Sequence, residues 1–136
     1  MYETFDHTAD VGIRARAADL GTLFREAARG LFAVLLVRPE SVRPRETVTL
    51  FLEGADLEEL LHDWLAELLS RFDAEHWLPG DFDVEPTDTG LHAVVHGEPF
   101  DPARHALDTE IKAVTYHGLT VREDPDGWLA EVILDL

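Results

Sequence analysis

The stretch from residue 56 to residue 72 constrains the fold of this chain more than any other part of the sequence. Apolar residues recur there at spacings of three and four, which is typical of an amphipathic helix that buries one face. Asp56 precedes the stretch and Glu59 follows three positions later, the pattern of a capping box at a helix start. We therefore predict a helix over 57–72 with a core-facing stripe of Leu57, Leu60, Leu61, Trp64, Leu65, Leu68, Leu69 and Phe72.

A second helix is predicted over residues 20–36, where apolar side chains again recur with helical spacing. Asp19 stands at the expected N-cap position, and Pro39 closes the region because proline cannot continue a helix. Gly21 and Gly30 lower the intrinsic helix preference of this stretch.

The other regular stretches have the residue pattern of strands. Residues 47–52 are apolar on both faces, which favours an interior strand. The predicted fold class is α+β, a two-layer sandwich in a single domain over residues 1–136. Two main helices cover one face of a mixed β-sheet, in the order ββαβαββββ. The predicted strands are 2–6, 11–17, 47–52, 82–85, 91–96, 111–121 and 128–134.

The charge balance limits which partners the protein can bind directly. The chain has 28 acidic and 11 basic residues, a formal net charge of −17 and no cysteine. Duplex binding needs a positive surface, so we expect no direct contact with nucleic acid or membranes. The absence of cysteine excludes thiolate chemistry. With no signal peptide and no apolar span of about 20 residues, a cytosolic, cytoplasmic location is expected.

Residues 6–12 (DHTADVG) concentrate polar chemistry between the first two predicted strands. The carboxylates of Asp6 and Asp10, with the nearby His7, are compatible with a site for a hard divalent cation. Two carboxylates rarely suffice, so such a site needs further ligands from elsewhere. The alternative is an Asx-type turn in which the Asp and Thr side chains bond to local amides.

Two further candidates lie near the end of the chain. Asp135 and the α-carboxylate of Leu136 place two negative groups on adjacent residues, which either a cation or full solvation would stabilise. Lys112 is the single lysine of the chain. Its compact ammonium suits phosphate as a point charge; alternatively it is a surface lysine that pairs with Glu110 or a neighbouring acid.

Three stretches together resemble the archease family. They are residues 6–12, residues 110–117 (EIKAVTYH) and the terminal residues 132–136 (VILDL), and the helix over 60–69 is also similar. The resemblance spans the whole chain at the expected length and order. One departure is Ala66, where the family often has Asn.

The resemblance implies a protein cofactor rather than an enzyme. Archeases activate the RtcB-type RNA ligase, a GTP-dependent enzyme of tRNA splicing and RNA repair, by promoting its guanylylation and multiple turnover and broadening its nucleotide use. By resemblance, Asp10, Asp135 and the Leu136 carboxylate match the family's metal site. Lys112 matches the functionally important lysine, and His7, which lies inside the first motif, is assigned with Lys112 to ligase activation. The implied cofactor is a divalent cation, calcium first, with magnesium or manganese as alternatives.

Two other functions remain open at this point. One is a chaperone-like or scaffolding module without chemistry, in which the acidic residues form structural turns. The other is a small metal-dependent phosphohydrolase that uses the same acids. The lack of a clear general base argues against the hydrolase.

Overall fold

The computed structural model describes residues 1–7, 10–54 and 56–136. These residues contain two α-helices, as predicted, α1 (Leu20–Leu35) and α2 (Leu57–Glu75), and a short 3-10 helix over Pro39–Ser41. The Asp19 carboxylate accepts a hydrogen bond from the Thr22 amide at 2.8 Å, and Asp56 caps α2 through the Glu58 amide at 2.9 Å. α2 runs three residues beyond the predicted Phe72 and ends where His76 takes a left-handed conformation at φ 53°.

The strands form two antiparallel sheets. In the five-stranded sheet the order is β1-β2-β8-β6, and β7 pairs with β8 on the same edge as β6. In the three-stranded sheet the order is β3-β5-β4. The strands are β1 (Tyr2–His7), β2 (Asp10–Ala17), β3 (Glu46–Glu53), β4 (Trp77–Pro86), β5 (Gly90–Pro99), β6 (Ala113–Val114), β7 (Thr120–Asp124) and β8 (Gly127–Asp135).

The α+β class with two main helices is confirmed, but the single mixed sheet was wrong. Every strand pairing among the described residues is antiparallel, and the chain builds two sheets instead of one. Helix α1 joins β2 of the five-stranded sheet to β3 of the three-stranded sheet, whereas α2 joins β3 to β4 within the three-stranded sheet. Because β5 lies between β3 and β4, neither helix acts as a crossover between parallel neighbours. The predicted strand over 111–121 also divides into β6 and β7 around Gly118, whose φ is +64°.

Helix α1 packs against both sheets, instead of covering one face of a single sheet. A Cβ on Gly30 would lie 2.7 Å from Ile13 Cγ2 of β2, and one on Gly21 would lie 2.4 Å from the Val84 oxygen of β4. Nine residues turn a helix by about two and a half turns, so the two glycines lie on opposite faces. They therefore permit close approach to a sheet on each side.

Two local predictions also differ from the structure. Strand β3 pairs only with β5, so it is an edge strand and not an interior one. Its outer face is open, with Phe51 74% exposed and stacked on His92. Strand β4 begins at Trp77, five residues before the predicted strand over 82–85, and a register shift between Pro79 and Asp81 accommodates Gly80 within it.

A buried ion network fixes the segment that follows β5. Glu98 is only 2% exposed and bonds to Arg104 Nη2 at 2.5 Å, the Arg43 amide at 2.7 Å and His105 Nε2 at 2.9 Å. The Asp101 amide donates to His105 Nδ1, so the ring proton lies on Nε2, toward Glu98. The Arg104 bond, with the other two, lowers the pKa of Glu98 from its ordinary 4.5 to about 2.

Neither helix is both long and apolar enough to cross a membrane within the described ranges.

Candidate functional site

The strand register brings the first and last segments of the chain together at one end of the five-stranded sheet. Asp10 is the register partner of Asp135, and Ala113 is the partner of Asp135 on its other side. The backbone of His7 pairs with Asp10 on β1. These four residues thus form one row across four adjacent strands.

The carboxylates of Asp10 and Asp135 lie on the same face of the sheet, because directly paired residues project to the same side. Their neighbours Val11 and Leu134 point the other way, since Leu134 is fully buried in the core and Val11 packs against it. The two acids therefore face away from the helices. Asp10 is half-buried and Asp135 is exposed.

The oxygen ligands of this row fit a hard divalent cation. Like charges directly opposed across strands destabilise a sheet by a few tenths of a kcal/mol or more, and a cation between them would offset this repulsion. Carboxylate oxygens are the ligands that calcium and magnesium prefer. The described side chains include no cluster of three His, Cys, Asp or Glu, and the α-carboxylate of Leu136 stays the predicted third ligand.

Lys112 lies at the same end of the sheet but borders the helix side. Its backbone amide donates to the backbone carbonyl oxygen of Asp135 at 2.8 Å, which fixes the backbone of Lys112 beside Asp10 and Asp135. Its exposed side chain lines two concavities against α2. Within residues 1–7, 10–54 and 56–136, the Lys112 ammonium forms no ion pair with a carboxylate, so its charge is available to an outside group.

The side chain of His7, which the sequence named for ligase activation, lies outside the described part of the structure, as do Thr8 and Ala9. The Asx-turn alternative for this segment depends on the same residues and also lies outside it. Asp6 is exposed and pairs through its backbone with Val11.

A histidine that sequence reasoning did not select connects α2 to this end of the sheet. His62 Nε2 lies 3.0 Å from the Val114 oxygen, and Nδ1 lies 3.1 Å from Asp63 Oδ1. Its ring stacks on Tyr116 at 3.9 Å between centroids. Desolvation, then the nearby charges of Asp63 and Glu59, raises the pKa of Tyr116 above its ordinary value. His62 lies within the archease-like helix motif, but its spacing alone gave no signal of this contact.

Comparisons with known proteins agree on one family. The model of the Archease protein family (MTH1598/TM1083) matches residues 2–136. A protein archease of Methanopyrus kandleri is 42% identical over 139 residues, covering 99% of each chain. The solution structure of Methanobacterium thermoautotrophicum protein 1598 is 33% identical with a TM-score of 0.80, covering 99% of this chain and 98% of that one.

The fold also matches a more distant structure. The crystal structure of an archease from Thermotoga maritima, described as a possible chaperone, has a TM-score of 0.63 at 19% identity. The match covers all of this chain and 98% of that one. At that identity the likeness supports the fold alone.

Proposed function

The chain belongs to the archease family, and from that premise we propose that it activates an RtcB-type RNA ligase in tRNA splicing and RNA repair. It does so as a protein cofactor that promotes guanylylation and multiple turnover of the ligase, not as a catalyst itself. The observation that carries the proposal is the direct pairing of Asp10 with Asp135, beside the backbone-anchored Lys112.

Each residue of this end of the sheet has a distinct role in the proposal. Asp10, Asp135 and the Leu136 carboxylate hold a divalent cation, with calcium as the first candidate. A cation held there supplies positive charge for neighbouring phosphates. The Lys112 ammonium contacts a phosphate of the ligase active centre as a point charge. His7, inside the first motif, takes part with Lys112 in ligase activation.

The test is ligase guanylylation with Asp10→Asn, Asp135→Asn and Lys112→Ala proteins. We expect each variant to lose stimulation by about tenfold or more, which corresponds to about 1.4 kcal/mol. Glu123→Gln is the matched control, because it removes one negative charge from an exposed position on β7. Stimulation at the wild-type level by all three site variants would contradict the proposal.

Cation binding has a readout that does not depend on the ligase. Added calcium should raise the unfolding temperature of the wild-type protein, because a ligand that binds only the native state stabilises it. Asp135→Asn should abolish this rise, whereas Glu123→Gln should keep it. An equal rise in the unfolding temperature of all three proteins would show that Asp135 is not a ligand of the cation.

A chaperone-like role is the second candidate function. The exposed Phe51 on the open face of the three-stranded sheet is an apolar surface that an unfolded client could contact. Purified protein would then suppress aggregation of an unrelated unfolded protein, and Phe51→Ser would lose that effect while ligase stimulation stayed unchanged.

A further inference from the structure

Two concavities run along the side of α2 that faces residues 107–114. The larger has a volume of about 600 Å³ and the smaller about 380 Å³. They share Asp73 and Lys112 as lining residues, and we call them together the α2 groove. Besides these two, the larger is lined by Leu35, Phe72, Leu107, Asp108, Thr109, Glu110 and Ile111, and the smaller by His62, Ala66, Leu69, Ser70, Ala74, Ala113 and Val114.

The wall of the α2 groove is held by backbone hydrogen bonds at both ends. The Asp108 amide donates to the Leu35 oxygen at 2.8 Å, and the Lys112 amide donates to the Asp135 oxygen at 2.8 Å. Between these two hydrogen-bonded residues, Ile111 is only 4% exposed and forms part of the floor of the groove. The groove is therefore formed before any partner arrives, which lowers the entropic cost of binding.

The floor of the larger concavity is apolar and its rim is acidic. Leu107 is 49% exposed although it lies beside the buried Leu35 and Ile111. Asp73, Asp108 and Glu110 are exposed around this apolar surface. Lys112 is the single cation among the residues that line either concavity.

The apolar floor and the acidic rim together favour one class of binding partner. An RNA strand would meet three carboxylates and an overall charge of −17, which repel phosphate. A second copy of the chain would bring the same acidic surface and be repelled in turn. A protein segment with an apolar side chain flanked by Lys or Arg would match both the floor and the rim.

We propose that the α2 groove docks a short basic segment of the partner ligase, with one apolar side chain inserted beside Leu107. This inference rests on the proposed function and adds the surface through which the partner is recognised. Helix α2 advances about 16 Å from His62 to Asp73, a length that about five extended residues cover. The docked segment therefore passes Lys112, which lines both concavities, and this brings the ligase to the end of the sheet where Asp10 and Asp135 lie.

The test measures ligase guanylylation as a function of the concentration of this protein. The half-maximal concentration reports docking, and the maximal stimulation reports activation. Leu107→Arg, and separately the double variant Asp108→Lys with Glu110→Lys, should raise that concentration about tenfold or more. The maximal stimulation should be retained at saturating protein. Lys112→Ala should show the opposite behaviour, with a lower maximum, because it alters the activating group.

Matched control variants lie on the outer face of the three-stranded sheet. Phe51→Arg places the same charge on an exposed apolar position, and Asp83→Lys with Glu85→Lys reverses two exposed acids. We expect these proteins to keep the half-maximal concentration within about twofold of wild type. Unfolding temperatures of all variants establish that each remains folded.

Three outcomes would overturn the inference. The first is an unchanged half-maximal concentration in both groove variants, and the second is an equal increase in the controls. The third is a photo-crosslinker at position 107 that reacts with no ligase segment while one at position 51 does. If the wild-type protein binds the ligase without stimulating it, the proposed function fails and the crosslink and binding affinity still test the groove.

Discussion

At the scale of single residues, Glu98 shows how a buried charge is made tolerable. Its carboxylate is 2% exposed, and burial without partners would cost several kcal/mol. The bonds from Arg104, the Arg43 amide and His105 Nε2 stabilise the ionised form. Because Glu98 and its partners Arg104 and His105 lie at opposite ends of the segment 98–105, and the third partner is residue 43, the network ties this segment to the loop before β3.

The first prediction at this scale concerns Glu98→Gln. The amide cannot accept the charge-assisted bonds of the carboxylate and leaves Arg104 without its buried partner. We therefore expect a loss of roughly 3 kcal/mol in the free energy of unfolding, measured by urea denaturation at pH 7. Glu85→Gln, an exposed acid on β4, should change that free energy by less than about 0.5 kcal/mol.

The pH dependence of stability follows from the same residue. The folded pKa of Glu98 is about 2 and its ordinary value is 4.5, so the unfolded chain binds the proton first as the pH falls. The stabilisation is complete above pH 4.5 and is lost as the pH falls from 4.5 toward 2. Glu98→Gln should flatten the dependence of unfolding free energy in that window. An equally steep curve in the variant would assign the acid sensitivity to other groups.

At the scale of elements, α1 shows why a helix with two glycines is retained. Gly21 and Gly30 lower helix preference by about 1 kcal/mol each relative to alanine. Each lies where a Cβ would collide with a neighbouring strand, on opposite sides of the helix. The glycines therefore lower the intrinsic helix preference but allow α1 to pack closely between two sheets. Eleven of the sixteen helix residues are buried.

The prediction for this element is that Gly21→Ala destabilises the protein despite its better helix preference. The new Cβ would lie 2.4 Å from the Val84 oxygen, and backbone has to shift to relieve the contact. We expect a loss of about 1–3 kcal/mol in chemical denaturation. At Gly54 the nearest atom to a Cβ is Leu60 Cδ1 at 3.5 Å, so Gly54→Ala should be far less disruptive; equal losses would contradict the packing argument.

At the scale of the whole molecule, the charge of −17 acts on stability and on association in opposite directions. Added salt screens the repulsion among surface acids, so the unfolding temperature of the free protein should rise between about 0.05 and 0.5 M NaCl. Salt also screens attraction to a basic partner, so the association rate with the ligase should fall over the same range. A rate that does not depend on salt would exclude electrostatic steering by the acidic surface.

The sequence predicted the helices well because their signals are local. The stripe from Leu57 to Phe72, the Asp19 and Asp56 caps and the stop before Pro39 each depend on residues within a few positions of one another. The strand arrangement was less predictable. Residues 47–52 have an interior pattern, yet β3 is an edge strand, because pairing depends on distant residues that local pattern does not reveal.

The sequence by itself determined the chemistry at the two ends of the chain. Asp10, Asp135, Leu136 and Lys112 could be named from residue type and family motif, but their roles stay predictions. Only the tertiary structure decided that Asp10 and Asp135 are cross-strand partners and that Lys112 faces the α2 groove. It also decided that α1 packs between two sheets. The physical reason is that register and sheet pairing join residues more than a hundred positions apart, whereas helix periodicity and capping act within single turns.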